Sequence, residues 1–241
     1  QVVCAGDRAG LGSGDGEPHQ GVFDVAYLCS VPGMTVLCPA SFAELRDMLR
    51  HAVNKLNGPV AIRFPRGGEG EYKDGGTDAI KCVREGTDFT LVTYGININT
   101  AIDAAGILER EGISIEIIKL GCINPFEINL VADSVAKTGR LLVLEECAGR
   151  GSVGEGITTA LALSYTMRGG ASERPRRKRS AAAPVEVQNS PTLPKSIILL
   201  NTGSIFAPCG EINELRKLCG IDVRSVCGVI RDCIARDAPK S

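Results

Sequence analysis

No two of the ten cysteines are spaced as Cys-x-x-Cys, and no cysteine–histidine group has zinc-site spacing. Neither a disulfide framework nor a structural metal is therefore expected. Most cysteines sit in apolar runs, as Cys38 does in MTVLCP, and read as small buried hydrophobes in a reducing compartment. No apolar run approaches the ~18–20 residues needed to span a bilayer. Charge is balanced, with 27 Lys and Arg against 28 Asp and Glu and a net charge of −1, so nothing draws the chain electrostatically to nucleic acid or a membrane surface. The opening QVVCAGDRAG has no initiator methionine, basic segment or apolar core of a signal peptide. We expect a cytoplasmic protein. The strand at Val2-Val3 with no lead-in reads as a chain that begins inside a domain, as a fragment or truncated product.

The 241 residues suffice for one large domain or two of roughly 100–150 residues. Residues 34–38 read as a buried strand. Ser41 to Leu56 reads as a helix, with Leu45, Met48, Leu49, Ala52, Val53 and Leu56 on one face. Ser41 and Glu44 form a capping box and Gly58 marks a stop. His51 lies off the apolar stripe and reads as a solvated helix residue. A strand returns at 59–63. Strands are then expected at 88–94, 113–119, 140–145 and 196–200, and helices at about 99–111, 126–137 and 152–166. Residues 210–219 and 222–235 read as helical or mixed.

Strands alternating with helices predict an α/β fold of two parallel-sheet units covered on both faces. The first unit spans 1–67, a Gly-, Asp-, Glu- and Lys-rich linker 68–87, and the second unit 88–241. Residues 168–194 interrupt the second unit with a sequence rich in Arg, Pro, Ser and Ala. Its aliphatic content is too low to offset ordering entropy, so a disordered insertion is expected. Its RPRRKR run matches a nucleic-acid or localisation patch, but a solvated loop is the reading we carry forward.

What is present concentrates in residues 7–21, DRAGLGSGDGEPHQG. Gly10, Gly12, Gly14 and Gly16 alternate with other residues, and Asp7, Arg8, Asp15 and His19 stand around them. Glycine lets a ligand approach the backbone closely. His19 is one of two histidines, and imidazole titrates near neutral pH. These residues fit a reaction site and also fit a flexible solvated loop. No Gly-Lys-Ser/Thr follows, so this is not a nucleotide P-loop. Arg66 stands in FPRGG at the end of a predicted strand, and Arg8 follows the opening strand. In parallel α/β sheets ligands collect beyond the carboxyl ends of strands. Two guanidiniums there would clamp a phosphate, or each would serve a separate surface ion pair. Gly149, Gly151 and Gly154 form a GxGxxG between a strand and a helix. The motif falls late in its unit, and the acidic residue expected ~20 positions on would be Glu173, inside the insertion. A tight strand-to-helix turn is the better reading than a dinucleotide site.

DRAGLGSGDGEPHQGVFDVAYLCSVPGMTVLCPASFAELRDML, followed by GPVAIRFPRG, resembles the pyrimidine-binding domain of the 1-deoxy-D-xylulose-5-phosphate synthase family, thiamine-diphosphate-dependent relatives of transketolase. GTDFTLVTYG, RLLVLEECAGRGSVGEGI and FAPCGEINELRKLCGID resemble the transketolase C-terminal domain of the same family. The resemblance covers nearly the whole chain except 168–194. It implies condensation of pyruvate with glyceraldehyde 3-phosphate with release of CO2, in the route to isoprenoid and thiamine precursors. It implies thiamine diphosphate and Mg2+ as cofactors, held mainly by residues upstream of this chain, and a homodimer. It implies that His19 and Asp15 contact substrate and move protons, and that Arg8 and Arg66 hold the acceptor's phosphate. No metal ligand and no cofactor ligand is assigned within the chain, which by itself is expected to be inactive. The chain departs from the family at Gly12-Ser13, Pro18, Phe64 and Cys209. The alternatives are another thiamine-diphosphate enzyme, such as a 2-oxoacid dehydrogenase β chain, or a non-catalytic assembly module.

Overall fold

The computed structural model describes residues 2–14, 16–169 and 194–237, with the backbone alone for 165–169. Two sheets carry the fold. The first contains β1 (Val2–Gly6), β2 (Thr35–Leu37), β3 (Pro59–Arg63) and β7 (Cys122–Asn124), in the order β1-β3-β2-β7. The second contains β4 (Ile80–Arg84), β5 (Phe89–Tyr94), β6 (Ile115–Leu120), β8 (Arg140–Leu144) and β9 (Ser196–Leu200), in the order β4-β6-β5-β8-β9. The strands expected from sequence run parallel. The antiparallel strands are the two missed, β4 against β6 and β7 against β2.

β5 and β6 are buried along their whole length, as strands covered on both faces must be. Their side chains alternate between two apolar clusters. Phe89 and Leu91 pack with α3 (Ile98–Glu109) and α7 (Val223–Asp237), while Val92 and Tyr94 pack with α4 (Asn129–Thr138) and α5 (Val153–Gly169). The second cluster continues into the first sheet through Val36, Cys38 and Ala61, and into α1 (Asp24–Ser30) through Val25. Five of the ten cysteines, Cys38, Cys122, Cys147, Cys227 and Cys233, are buried, and all ten are free thiols. Burial pushes the Cys38 thiol up to about 12.

α2 (Phe42–Asn54) begins where the sequence places it. Ser41 Oγ accepts the Glu44 N–H at 3.0 Å. The return bond differs from the expected box, because Glu44 Oε2 accepts the N–H of Ala40 at 2.8 Å. The apolar stripe is only half used: Met48 and Ala52 are buried, whereas Leu49 and Val53 are exposed.

Residues 68–87 do more than connect. Tyr72 is buried, β4 pairs with β6 across this stretch, and Asn99 Oδ1 accepts the Tyr72 N–H at 2.9 Å. The sequence showed no strand here because β4 lies at a sheet edge, half-buried, and its Lys and Arg residues mask the pattern. α5 runs to Gly169, and residues 170–193 of the expected insertion lie outside the described residues.

α6 (Ile212–Leu218) and α7 close the chain, and α7 has an acidic cap. Asp222 Oδ1 accepts the Arg224 N–H at 2.9 Å and the Ser225 N–H at 3.4 Å, and Oδ2 accepts the Ser225 hydroxyl at 2.5 Å. Burial pulls its carboxyl upward, but these bonds outweigh burial and hold it below the usual value. A depressed carboxylate contributes stability above its unfolded pKa of ~3.9 and loses it as pH falls through the folded value. Asp222→Ala is expected to cost about 1 kcal/mol near neutral pH. In thermal melts the gap between parent and variant should close below pH ~4. A gap that persists there would assign the loss to packing.

Candidate functional site

The glycine-rich loop leaves the carboxyl end of β1 and is held by both units. The Ala9 N–H donates to Phe64 O at 3.0 Å, and Gly10 N–H to Gly21 O at 2.8 Å. Gln20 clasps Gly12 from both sides, with Oε1 accepting its N–H at 2.6 Å and Nε2 donating to its carbonyl at 3.2 Å. From the second unit, Gly210 O accepts the Gly14 N–H at 3.3 Å, and Glu211 Oε2 accepts the Ser13 hydroxyl at 3.3 Å. Pro18 lies within a short 3-10 turn, Glu17–His19, which its fixed φ favours. His19 still makes its turn bond, N–H to Gly16 O at 3.0 Å.

Glu146, just past the end of β8, is the main fastening. It is buried, and Oε2 accepts the Leu11 N–H at 3.3 Å. Oε1 accepts Arg216 Nε at 2.6 Å. With its amide turned to satisfy both partners, Asn97 donates to Oε1 at 3.0 Å and accepts the Glu146 N–H at 3.1 Å. Gly10, at φ +79°, passes directly over this carboxylate: a Cβ there would fall on Oε2 and lie 2.9 Å from the Glu146 Cβ. Gly14, at φ +73°, has open space around it. Gly10→Ala is expected to cost about 2–4 kcal/mol, from strain and overpacking together. Gly14→Ala should cost only the strain, about 1–2 kcal/mol. Urea unfolding of the two variants measures the difference, and equal losses would contradict this account of the contact.

Arg63, the last residue of β3, lies beneath the loop and is 6% exposed. Nε donates to Asp24 Oδ2 at 2.7 Å, and one terminal nitrogen donates to Gly21 O at 3.1 Å and Glu146 O at 3.0 Å. The guanidinium lies 5.7 Å from the centre of the Tyr94 ring. Burial lowers its pKa, but the Asp24 carboxylate, Tyr94 and Cys38 together outweigh burial and raise it.

The GRGSVG turn is structural. Glu145 Oε1 accepts the Gly154 N–H at 2.9 Å, and Oε2 accepts the Val153 N–H at 3.1 Å and the Tyr94 hydroxyl at 3.0 Å. The helix start where a pyrophosphate would bind is thus filled by the chain's own carboxylate, which burial pushes above its ordinary value.

The predicted site residues are distributed as follows. β1 and β3 are parallel neighbours with Gly6 opposite Arg63, so Arg8 and Arg66 both lie just beyond adjacent strand ends. Arg66 is exposed and lines two adjoining clefts. One is walled mainly by Pro39, Phe42, Leu45 and Phe64, and Asp7 also lines it. The other adds Leu11, Ser13, Asn99 and Arg216. Arg8 has φ +58° and lies 3.7 Å from Asp7 Oδ2, and lines neither cleft. His19 is exposed on its turn and lines neither cleft. Asp15 lies outside the described residues. Sequence reasoning missed Glu146, Arg216 and Arg63. The one local signal was the pair Glu145-Glu146 closing the apolar run Leu141 to Leu144, at the sheet end where ligands collect.

Residues 1–68 match the transketolase pyrimidine binding domain and residues 78–174 the transketolase C-terminal domain. The chain belongs to the transketolase family. It is similar to the 1-deoxy-D-xylulose-5-phosphate synthase of Chlorobium luteolum, 37% identical over 169 residues that make up 68% of this chain and 27% of that protein. It is likewise similar to the enzyme of that name from Halalkalibacterium halodurans, 40% identical over 163 residues, 65% of this chain and 26% of that protein. The chain thus spans about a quarter of the length of these curated relatives. Among solved structures it resembles a split gene transketolase, an inactive beta4 tetramer, with a TM-score of 0.73 and 25% identity, covering 96% of this chain and 66% of that one. A transketolase from Pichia stipitis, 16% identical with a TM-score of 0.67, shares the fold over 98% of this chain and 30% of its own.

Proposed function

We propose that this chain forms the acceptor-phosphate wall and the C-terminal domain of a 1-deoxy-D-xylulose-5-phosphate synthase. That transketolase-type transferase joins pyruvate to glyceraldehyde 3-phosphate, releases CO2 and yields 1-deoxyxylulose 5-phosphate. The observation that carries the reading is Arg66 at the cleft beyond β3, one strand from Arg8, in a chain whose curated relatives bear that name. In this reading Arg8 and Arg66 hold the acceptor's phosphate through their planar forks. The acceptor's carbonyl oxygen must gain a proton as the new carbon–carbon bond forms. His19 and Asp15 are the groups assigned to contact substrate and handle that proton.

Thiamine diphosphate and magnesium belong to the same reading. Among the described residues, the grouping that would gather a cation is Cys82, Glu85 and Glu116. It lies in the second unit, and the Lys137 ammonium already bonds both carboxylates. These residues do not fit a metal-bound diphosphate. The reading places that site in the part of the relatives' length this chain does not span. A cytoplasmic homodimer follows from the family resemblance alone.

The complete protein carrying this chain, given both substrates, is expected to release CO2 and deoxyxylulose phosphate in equal amounts. Acyl transfer to a lipoyl group instead would establish a 2-oxoacid dehydrogenase. Arg66→Ala in that protein should raise KM for glyceraldehyde 3-phosphate tenfold or more and leave KM for pyruvate nearly unchanged, as expected from losing hydrogen bonds to a charged group, about 1.5–3 kcal/mol. Equal effects on both constants would remove Arg66 from the acceptor site.

A further inference from the structure

We propose that Glu146 is a positioning residue: from the second unit it sets the shape of the glycine loop that carries His19. The C-terminal domain, to which no reacting group is assigned, then governs the proton step. The inference rests on the acid–base reading of His19 and deepens it.

The loop leaves and re-enters the first unit through a zipped neck. Ala9 and Gly10 both bridge to Gly21, and the Gln20 side chain closes on Gly12. Each side of that neck is bound to the segment that follows β8. On the outgoing side Glu146 Oε2 accepts the Leu11 N–H at 3.3 Å. On the returning side Val22 O accepts the Ala148 N–H at 2.7 Å, and one terminal nitrogen of Arg63 ties Gly21 O to Glu146 O. Glu146 thus reaches both sides, one with its side chain and the other with its carbonyl through Arg63. Beyond the neck, His19 is tied by its backbone, N–H to Gly16 O at 3.0 Å. Its imidazole has no hydrogen-bonding partner among the described residues, so the turn and the neck give the ring its direction.

The neck needs a carboxylate at position 146. Three donors converge on its two oxygens: the Leu11 N–H on Oε2, and Arg216 Nε at 2.6 Å and the Asn97 amide at 3.0 Å on Oε1. An ionised carboxylate accepts at both oxygens, whereas a glutamine of the same shape must turn its NH2 toward one set of donors. Arg216 and Asn97 claim the oxygen of that glutamine, so its nitrogen faces Leu11 and the neck bond is lost. The same two residues brace the carboxylate, and Asn97 also accepts the Glu146 N–H at 3.1 Å. The loop is fitted to this fixed point from its own side, since Gly10 leaves the carboxylate the space a Cβ would take. A proton-transfer group displaced by about 1 Å loses up to about 100-fold in rate, which makes so small a shift in the neck visible in turnover.

The test uses the complete protein carrying this chain. Glu146→Gln should lower kcat about tenfold or more and keep KM for glyceraldehyde 3-phosphate within about threefold of the parent. His19→Ala should lower kcat by itself, and adding Glu146→Gln to it should cost less than about twofold more, because nothing is left to aim. A merely structural role would multiply the two losses. In the 241-residue chain, Glu146→Gln should quicken amide exchange at Leu11 about tenfold or more and leave β5 and β6 at parent rates. If circular dichroism shows the Gln variant unfolded, Glu146→Asp, which keeps the charge and shortens the reach, is judged by the same criteria. If neither variant folds, Glu146 serves stability and the inference fails. Multiplied losses, a parent-like kcat in Glu146→Gln or parent-like exchange at Leu11 overturn the inference and leave the acid–base reading standing. If His19→Ala keeps the parent's kcat, the acid–base reading of His19 fails and this inference with it.

Discussion

Replacing Arg63 with methionine is expected to lower the unfolding midpoint by about 6–20 °C, the equivalent of about 3–5 kcal/mol in a chain of this size. The loss comes from what the guanidinium leaves behind. Asp24, mostly buried, keeps a carboxylate without its cation, and the carbonyls of Gly21 and Glu146 lose a shared donor. Because Gly21 closes the glycine loop and Glu146 fastens it, the damage should spread to residues 8–21. Hydrogen exchange there should quicken before the strands themselves open. Adding Asp24→Leu should restore part of the midpoint, because a buried pair replaced as a pair costs less than one broken. A midpoint within 2 °C of the parent would show that the site rearranges and that the ion pair is dispensable.

The second large effect is expected at Glu44. Its Oε1 accepts Lys119 Nζ at 2.8 Å and the Tyr72 hydroxyl at 3.2 Å, and Oε2 accepts the Ala40 N–H. Lys119 is 2% exposed. Glu44→Ala strands that ammonium in the interior and leaves the Ala40 N–H without its acceptor, so a loss of about 3–5 kcal/mol is expected. Lys119→Met should cost clearly less, since the remaining carboxylate keeps the hydroxyl and the N–H as donors. Denaturant midpoints for the two variants check the order. The reverse order would mean that Tyr72, whose hydroxyl burial and Glu44 push above its usual range, does not support the carboxylate.

These networks show where the sequence was readable. The ten-residue and longer helices, the parallel strands and the opening loop follow from periodicity, capping and glycine spacing, signals confined to a few neighbouring residues. β3 and β9 fall where an unbroken apolar run is bounded by turn residues. β4 and β7 were illegible because β4 carries Lys and Arg along a half-buried edge, β7 has only three residues, and each takes its antiparallel pairing from a strand elsewhere in the chain. The site divides the same way. Arg66, which lines both clefts, and Arg8, which lines neither, were visible as arginines after strand ends. Glu146 and Arg216 stand 135 residues or more from the loop residues they serve, Leu11 among them, and only the assembled sheets bring them there.

β7 belongs to the second unit by chain order and to the first sheet by hydrogen bonds: Val36 opposes Asn124 and Leu37 opposes Cys122. Severing the polypeptide between residues 68 and 87 would therefore not release two self-sufficient pieces. The amino-terminal piece would keep its first three strands and lose the fourth, exposing the flank of β2. It would also lose the apolar covering of Val36, Cys38 and Ala61. What looks in the sequence like a boundary for truncation or domain grafting is a seam stitched from both sides, and exchanging one half among relatives requires carrying residues 122–124 along with it.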